Sequence, residues 1–227
     1  MRMAFQTSDA WRRAYPGAAV GVLALSGVAN PESCPTLDER KESLERGLRE
    51  RFAGQTRADL LRLPVLRAYD TYYSRFKKTY HVQLQLESVV FKGKSLPRMA
   101  ALVEAMFAAE LANQLLTAGH DLDAVEPPVR VEVAQGAEDY VTLSGQPQLL
   151  KAGDMYIADR QGIMSSIIYG PDARTRLRPE TRRALFTVYA PPGVDAVLVE
   201  KHLGDLRDNV LLIAPQAEVE LLAVYPA

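Results

Sequence analysis

One short segment contains side chains that can take part in acid–base chemistry or hold a cation. His120 is followed by Asp121 and Asp123, which places an imidazole beside two carboxylates. Acidic residues at this kind of position also form turns, so a purely structural role is the alternative. The three histidines and Cys34 lack the paired spacing of zinc ligands. We therefore predict neither a metal site nor a cofactor.

Two further motifs are incomplete versions of known catalytic or phosphate-binding sequences. Gly93, Lys94 and Ser95 look like the end of a phosphate-binding loop, but Ser88 stands where that loop requires glycine. Ser26 lacks the first glycine of a nucleophile elbow. Neither motif predicts an enzyme by itself.

Charge is unevenly distributed along the chain although the formal net charge is only -1. The segment 41–98 carries 13 basic and 6 acidic residues, whereas 104–160 carries 10 acidic and 3 basic residues. A second basic cluster spans 174–183, and its spacing suits either one edge of an anion-binding site or a solvated loop.

The elements that must position these residues alternate between apolar strands and amphipathic helices. We predict a buried first strand within 17–29 and a central buried helix over 99–118. Short, mostly antiparallel strands follow from Val129, and a last helix over 194–213 precedes a strand over 219–224. Without a linker or repeat, residues 1–227 form one predicted α+β domain.

An aromatic series with nearly helical spacing lies among basic residues. It consists of Tyr69, Tyr73, Phe76 and Tyr80. Rings next to cations can stack on nucleotide bases, but rings at this period also form the core face of a helix. The sequence favours the core interpretation.

The chain has two apolar stretches, at 17–29 and 99–118, but neither has the features of a membrane segment. Glu104 and Glu110 lie inside the second stretch, where carboxylates are costly in lipid. The lone Cys34 cannot form an internal disulfide. We expect a cytoplasmic protein with no membrane partner.

Three groups of motifs occur in a characteristic order. The first is YPGAAVGVL at 15–23. The second is FKGKSLPR at 91–98, with LVEA at 102–105 and HDLD at 120–123. The third is AGD at 152–154 with IAD at 157–159, followed by RPETRRALF at 178–186. As a set they resemble the tRNA-binding editing module formed by the third and fourth domains of the phenylalanyl-tRNA synthetase beta chain.

The resemblance covers nearly the whole chain and is greatest to stand-alone bacterial proteins made of this module. It implies a three-layer β/β/α arrangement with mixed, mostly antiparallel sheets. It also implies a pocket in which wrongly attached tyrosine is cleaved from tRNA with the help of a bound water. Two positions differ from the synthetase pattern: Ala118 replaces a histidine, and Arg174 replaces a pocket glutamate. We therefore expect little or no hydrolysis.

Three functional hypotheses follow from the residues and the resemblance together. The first is a module that binds tRNA or another RNA through Lys92, Lys94, Arg98, Arg174 and Arg176. The second is a deacylase that clears mischarged aminoacyl-tRNA, with a water polarised by His120, Asp121, Asp172 and Thr175. The third is a protein that binds a small, amino-acid-like ligand in the former editing pocket.

Overall fold

The computed structural model describes residues 3–227, so the first two residues of the predicted domain lie outside the described range. The α-helices are α1 (Asp9–Ala14), α2 (Pro35–Arg51), α3 (Arg57–Leu60), α4 (Pro64–Ser74), α5 (His81–Lys92), α6 (Ala101–Asn113) and α7 (Ala196–Ile213), and Leu122–Ala124 form a 3-10 turn. The strands are β1 (Phe5–Thr7), β2 (Ala19–Ser26), β3 (Leu116–Asp121), β4 (Val129–Val133), β5 (Asp139–Val141), β6 (Pro147–Leu149), β7 (Met155–Ala158), β8 (Ile163–Ser166), β9 (Gly170–Pro171), β10 (Arg183–Ala190) and β11 (Glu218–Pro226).

The strands form two main sheets and one hairpin. The four-stranded sheet is antiparallel, with the order β11-β2-β10-β3. The five-stranded sheet has the order β1-β4-β7-β8-β9 and is mixed, because β1 runs parallel to β4. Strands β5 and β6 pair with each other as a separate hairpin. The buried strand predicted within 17–29 is confirmed as β2, which lies inside the four-stranded sheet. It is not the first strand, because β1 and α1 precede it.

The four-stranded sheet lies between the other two layers. On one face α7 approaches so closely that a Cβ atom on Gly21 would lie 2.7 Å from Val199, so only glycine fits at this point of β2. On the other face the hydroxyl of Tyr189 in β10 donates to the backbone oxygen of Ser165 in β8, at 2.9 Å. These contacts give the order sheet, sheet, helices, and the predicted three-layer α+β fold is confirmed.

The helix predicted over 99–118 is shorter than expected. Helix α6 ends at Asn113, and Gln114 then adopts a left-handed conformation with φ of 57°. The chain reverses there and continues as β3, whose backbone at Leu116 donates to the Tyr69 hydroxyl at 2.9 Å. Residues 114–118 are as apolar as the helix and contain no glycine or proline, so only strand pairing with β10 separates the two elements.

The aromatic series belongs to the core, as the sequence favoured. Tyr69, Tyr73, Phe76 and Tyr80 are all buried, and the rings of Tyr69 and Tyr80 stack with centroids 4.0 Å apart. Helix α4 ends at Ser74, so Tyr80 reaches the stack from the segment before α5 and not from the same helix. The rings are therefore not available to stack on bases.

Candidate functional site

A cavity of about 390 Å³ lies beside β3, an edge strand of the four-stranded sheet. Its walls come from α5, α6, β3 and the segments 166–171 and 176–177. Most of the wall is apolar, including Met106, Phe107, Leu116, Ile167 and Leu177. Its size lies at the small end of the range for ligand pockets, about 300 to 1,000 Å³. We call it the Glu110 cavity after the carboxylate on its wall.

Helix α6 directs one of its faces to the cavity. Val103, Met106, Phe107 and Glu110 line it, and their spacing of three and four residues places them on one side of the helix. The Glu110 side chain is 1% exposed. Its Oε1 accepts a hydrogen bond from the backbone N–H of Thr117 at 2.7 Å, while Oε2 is buried without a partner.

Burial of this carboxyl changes its protonation. Desolvation raises the pKa of Glu110 to about 8, and the hydrogen bond from Thr117 opposes that shift only in part. The group is therefore mostly neutral at pH 7 when the cavity is empty. A buried polar atom without a partner is uncommon in native proteins, and beside a cavity it makes Glu110 a candidate ligand-binding residue.

A second unpartnered oxygen lies on the same cavity wall. Gln85 of α5 lines the cavity, and its Oε1 is buried without a hydrogen bond. At the opening, Arg176 is exposed, and the apolar side chains of Met99 and Leu143 are about half exposed. The cavity thus combines two unpartnered oxygen atoms inside with an apolar and basic rim.

The four predicted catalytic residues lie close together, but none of them lines the Glu110 cavity. His120 Nδ1 lies 2.7 Å from Thr175 Oγ1, and the Thr175 hydroxyl donates to Asp172. Because that hydroxyl has only one proton, Nδ1 of His120 is the donor and Nε2 carries a lone pair with no partner. Burial and the Arg174 charge lower the pKa of His120 to about 3.

Asp121 caps the following turn by accepting a hydrogen bond from the Asp123 N–H, and it also accepts one from a threonine hydroxyl.

The predicted RNA-binding cations have two different environments. Arg174 forms two hydrogen bonds of 2.9 Å with Asp159, so its charge is already compensated. Lys92, Lys94, Arg98 and Arg176 are exposed. The Arg98 guanidinium is 3.9 Å from an Asp38 oxygen.

Lys94 and Arg176 line two depressions that share residues. Lys94 lines a shallow groove of about 360 Å³, and this groove shares His81 and Gln85 with the Glu110 cavity, which Arg176 lines. Arg174 lies outside both depressions.

Sequence reasoning did not identify Glu110 or Gln85 as site residues. The available signal for Glu110 is a carboxylate inside a 20-residue apolar run, which also argues against a membrane segment. Within residues 3–227 no group of three or more His, Cys, Asp or Glu side chains is arranged to hold a metal ion. In the same range no helix combines the length and apolar character needed to cross a bilayer.

Comparison with known proteins supports the fold. The chain is similar to the crystal structure of an N-terminal fragment of the phenylalanyl-tRNA synthetase beta subunit from Pyrococcus horikoshii, with a TM-score of 0.51 and 10% sequence identity. The match covers 100% of this chain and 55% of the other, so the chain spans about half the length of that fragment. No protein-family model and no curated protein matched the sequence. The similarity therefore establishes a related fold.

Proposed function

We propose that residues 1–227 form a single cytoplasmic binding domain whose Glu110 cavity holds a small, mainly apolar ligand. The observation that carries this proposal is the buried Glu110 Oε2, which has no partner and lies on the wall of an otherwise apolar cavity. An unpaired buried polar atom costs about 1 to 3 kcal/mol, and a ligand that forms a hydrogen bond with it recovers part of that cost.

Binding fits the geometry better than hydrolysis does. Ala118, which stands at a histidine position of the synthetase pattern, lines the cavity and offers no polar atom to a water. His120, Asp172 and Thr175 are hydrogen-bonded to one another outside the cavity wall. A deacylase would need donors aimed at a developing oxyanion and groups that orient a water, and the predicted catalytic residues do not line the cavity.

The methionines allow a direct test with the probe 2-phenylethanol. Met99 and Met106 line the cavity, whereas Met155 and Met164 are buried away from it. With ¹³C-methyl-methionine protein, we expect the probe to shift the Met106 signal and leave those of Met155 and Met164 in place. No shift, or equal shifts at all four methyls, would contradict the proposal.

A pair of variants localises the binding. Ala118→Leu fills part of the cavity, and we expect it to weaken probe binding about tenfold or more through loss of accessible volume. Ala53→Leu makes the same chemical change at an exposed turn and should bind like the wild type. Equal affinity in both variants would exclude the cavity as the binding site.

RNA binding is the second candidate, and the four exposed cations among the predicted RNA-binding residues favour it. Lys92, Lys94, Arg98 and Arg176 would contact phosphates, with tRNA the first RNA to test; Arg174 would add less because it is bonded to Asp159. Converting those four exposed residues to glutamine should weaken tRNA binding and lower the salt slope by about 1 per lost contact.

The matched control neutralises four exposed cations elsewhere, Arg13, Arg46, Lys151 and Arg160. This control changes the net charge equally, so it separates a local binding surface from general electrostatic attraction. Equal losses in both quadruple variants, or unchanged binding in both, would contradict the proposed RNA-binding surface.

A further inference from the structure

Two free oxygen atoms on the wall of the Glu110 cavity specify the chemistry of the ligand. They are Oε2 of Glu110 on α6 and Oε1 of Gln85 on α5, and both are buried without a hydrogen-bond donor. When Glu110 is ionised, both atoms accept hydrogen bonds, so the missing partner in this state is a donor. An apolar ligand without donors would leave both oxygens unsatisfied.

The free oxygen of Glu110 is an exception among the buried carboxylates. Glu45, Glu104, Asp154 and Asp159 are equally buried, and each has a hydrogen-bond or ionic partner for both oxygens. The fold therefore supplies partners where a carboxylate is structural. At Glu110 it supplies one partner and leaves the other oxygen facing the cavity.

We propose that the cavity binds hydrophobic primary amines, with the ammonium group at Glu110 Oε2 and Gln85 Oε1 and the apolar body against the walls. This inference rests on the proposed ligand-binding function. An ammonium group has several N–H donors and a charge that compensates an ionised carboxylate. The aromatic rings of Phe107 and Tyr189 on the wall suit both the apolar body and an adjacent cation.

The surrounding groups make this recognition dependent on pH. The titratable or charged groups near Glu110 or lining its cavity are Tyr69, Tyr73, Tyr80, Tyr189, His81 and Arg176, with His202 behind Thr117. Desolvation raises the pKa of each of these tyrosines. It lowers the pKa of both histidines, and the pKa of His202 falls to about 4. Between pH 7 and 9, Glu110 is thus the group in this set that changes charge.

Amine binding requires the ionised form of Glu110. Below its pKa of about 8, the carboxyl must release a proton when the ammonium enters. The affinity for an amine should therefore rise by up to about tenfold per pH unit up to pH 8 and then level off, because alkylammonium groups lose their proton only near pH 10. A neutral alcohol of the same shape should show no such rise.

The test compares 2-phenylethylamine with 2-phenylethanol by calorimetry at pH 6, 7, 8 and 9. We expect the amine to bind about ten to a hundred times more tightly than the alcohol at pH 8, as a charged hydrogen bond implies. We expect Glu110→Gln to abolish that preference and its pH dependence while leaving alcohol affinity within about twofold. This variant keeps an acceptor for the Thr117 N–H, so the fold is retained.

Two controls separate the possible failures. Glu42→Gln, at an exposed position of α2, should retain the amine preference, and Gln85→Leu should weaken amine binding more than alcohol binding. Alcohol binding as tight as amine binding at pH 8, or an amine preference that survives Glu110→Gln, would overturn this inference and leave the ligand-binding function intact. Failure of both probes to bind would instead reject the proposed function.

Discussion

The surroundings of Asp159 and of Glu110 illustrate two uses of a buried carboxylate in one protein. Asp159 is 2% exposed and accepts hydrogen bonds from the Arg174 guanidinium and from the backbone N–H groups of Glu126, Gln161 and Gly162. Glu110 is equally buried but accepts only from Thr117. The first carboxylate holds loops together, whereas the second is left available for a partner that the chain does not provide.

This comparison explains why residue type alone misassigns roles. Arg174 looks like a free cation in the sequence, yet the structure pairs it with Asp159. Glu110 looks like an isolated charge in an apolar helix, yet it lies on the wall of a cavity of about 390 Å³. Substitutions at the two sites should therefore change the free energy of unfolding by different amounts and in opposite directions.

A large loss of stability is expected at the Asp159 site. Arg174→Ala leaves a buried carboxylate without its cation, which should lower the free energy of unfolding by about 3 kcal/mol. Urea denaturation measures this change. Arg176→Ala, two residues away and exposed, is the matched control and should change stability by less than about 0.5 kcal/mol. Equal effects would remove the distinction between the two arginines.

Helix α6 provides the next comparison, between its core face and its cavity face. Leu102→Ala should cost about 2 to 5 kcal/mol, because Leu102 is completely buried and leaves an empty volume. Phe107→Ala should cost less, because Phe107 is half-buried and already borders the cavity. The denaturation midpoints of the two variants test this order. Negligible loss in Leu102→Ala would contradict the central position of α6.

The pH dependence of stability should differ between wild type and Glu110→Gln. The pKa of Glu110 is raised from 4.5 to about 8 in the folded state, so the native protein binds the proton more tightly than the unfolded chain does. Between pH 5 and 7 the wild type should therefore lose about 2 kcal/mol relative to Glu110→Gln as the pH rises. Parallel stability curves for the two proteins would mean that Glu110 titrates normally.

The smallest expected effect concerns hydrolysis. We expect Tyr-tRNA(Phe) to be deacylated at the background rate by the wild type and by His120→Ala, because Ala118 and Arg174 replace two polar groups of the synthetase pattern. The assay measures release of tyrosine at equal protein concentrations. Robust wild-type turnover that is lost in His120→Ala would establish the deacylase hypothesis and make His120 a catalytic residue.

Much of the fold was predictable because local patterns specify it. The run of small and branched apolar residues in β2 indicated a buried strand, and the apolar spacing in α7 and the core part of α6 indicated helices. The boundary between α6 and β3 was not predictable, since residues 114–118 are equally compatible with helix. Pairing of β3 with β10 decides that boundary.

The sequence by itself determined the α+β class, the main apolar elements and the unequal distribution of charge. Tertiary structure decided which polar groups have partners. The Asp159–Arg174 pair joins residues 15 positions apart, and the reversal at Gln114 brings the Thr117 N–H to Glu110. Hydrogen bonds and burial depend on contacts between distant segments, and no local pattern records which oxygen remains unpaired after those contacts have formed.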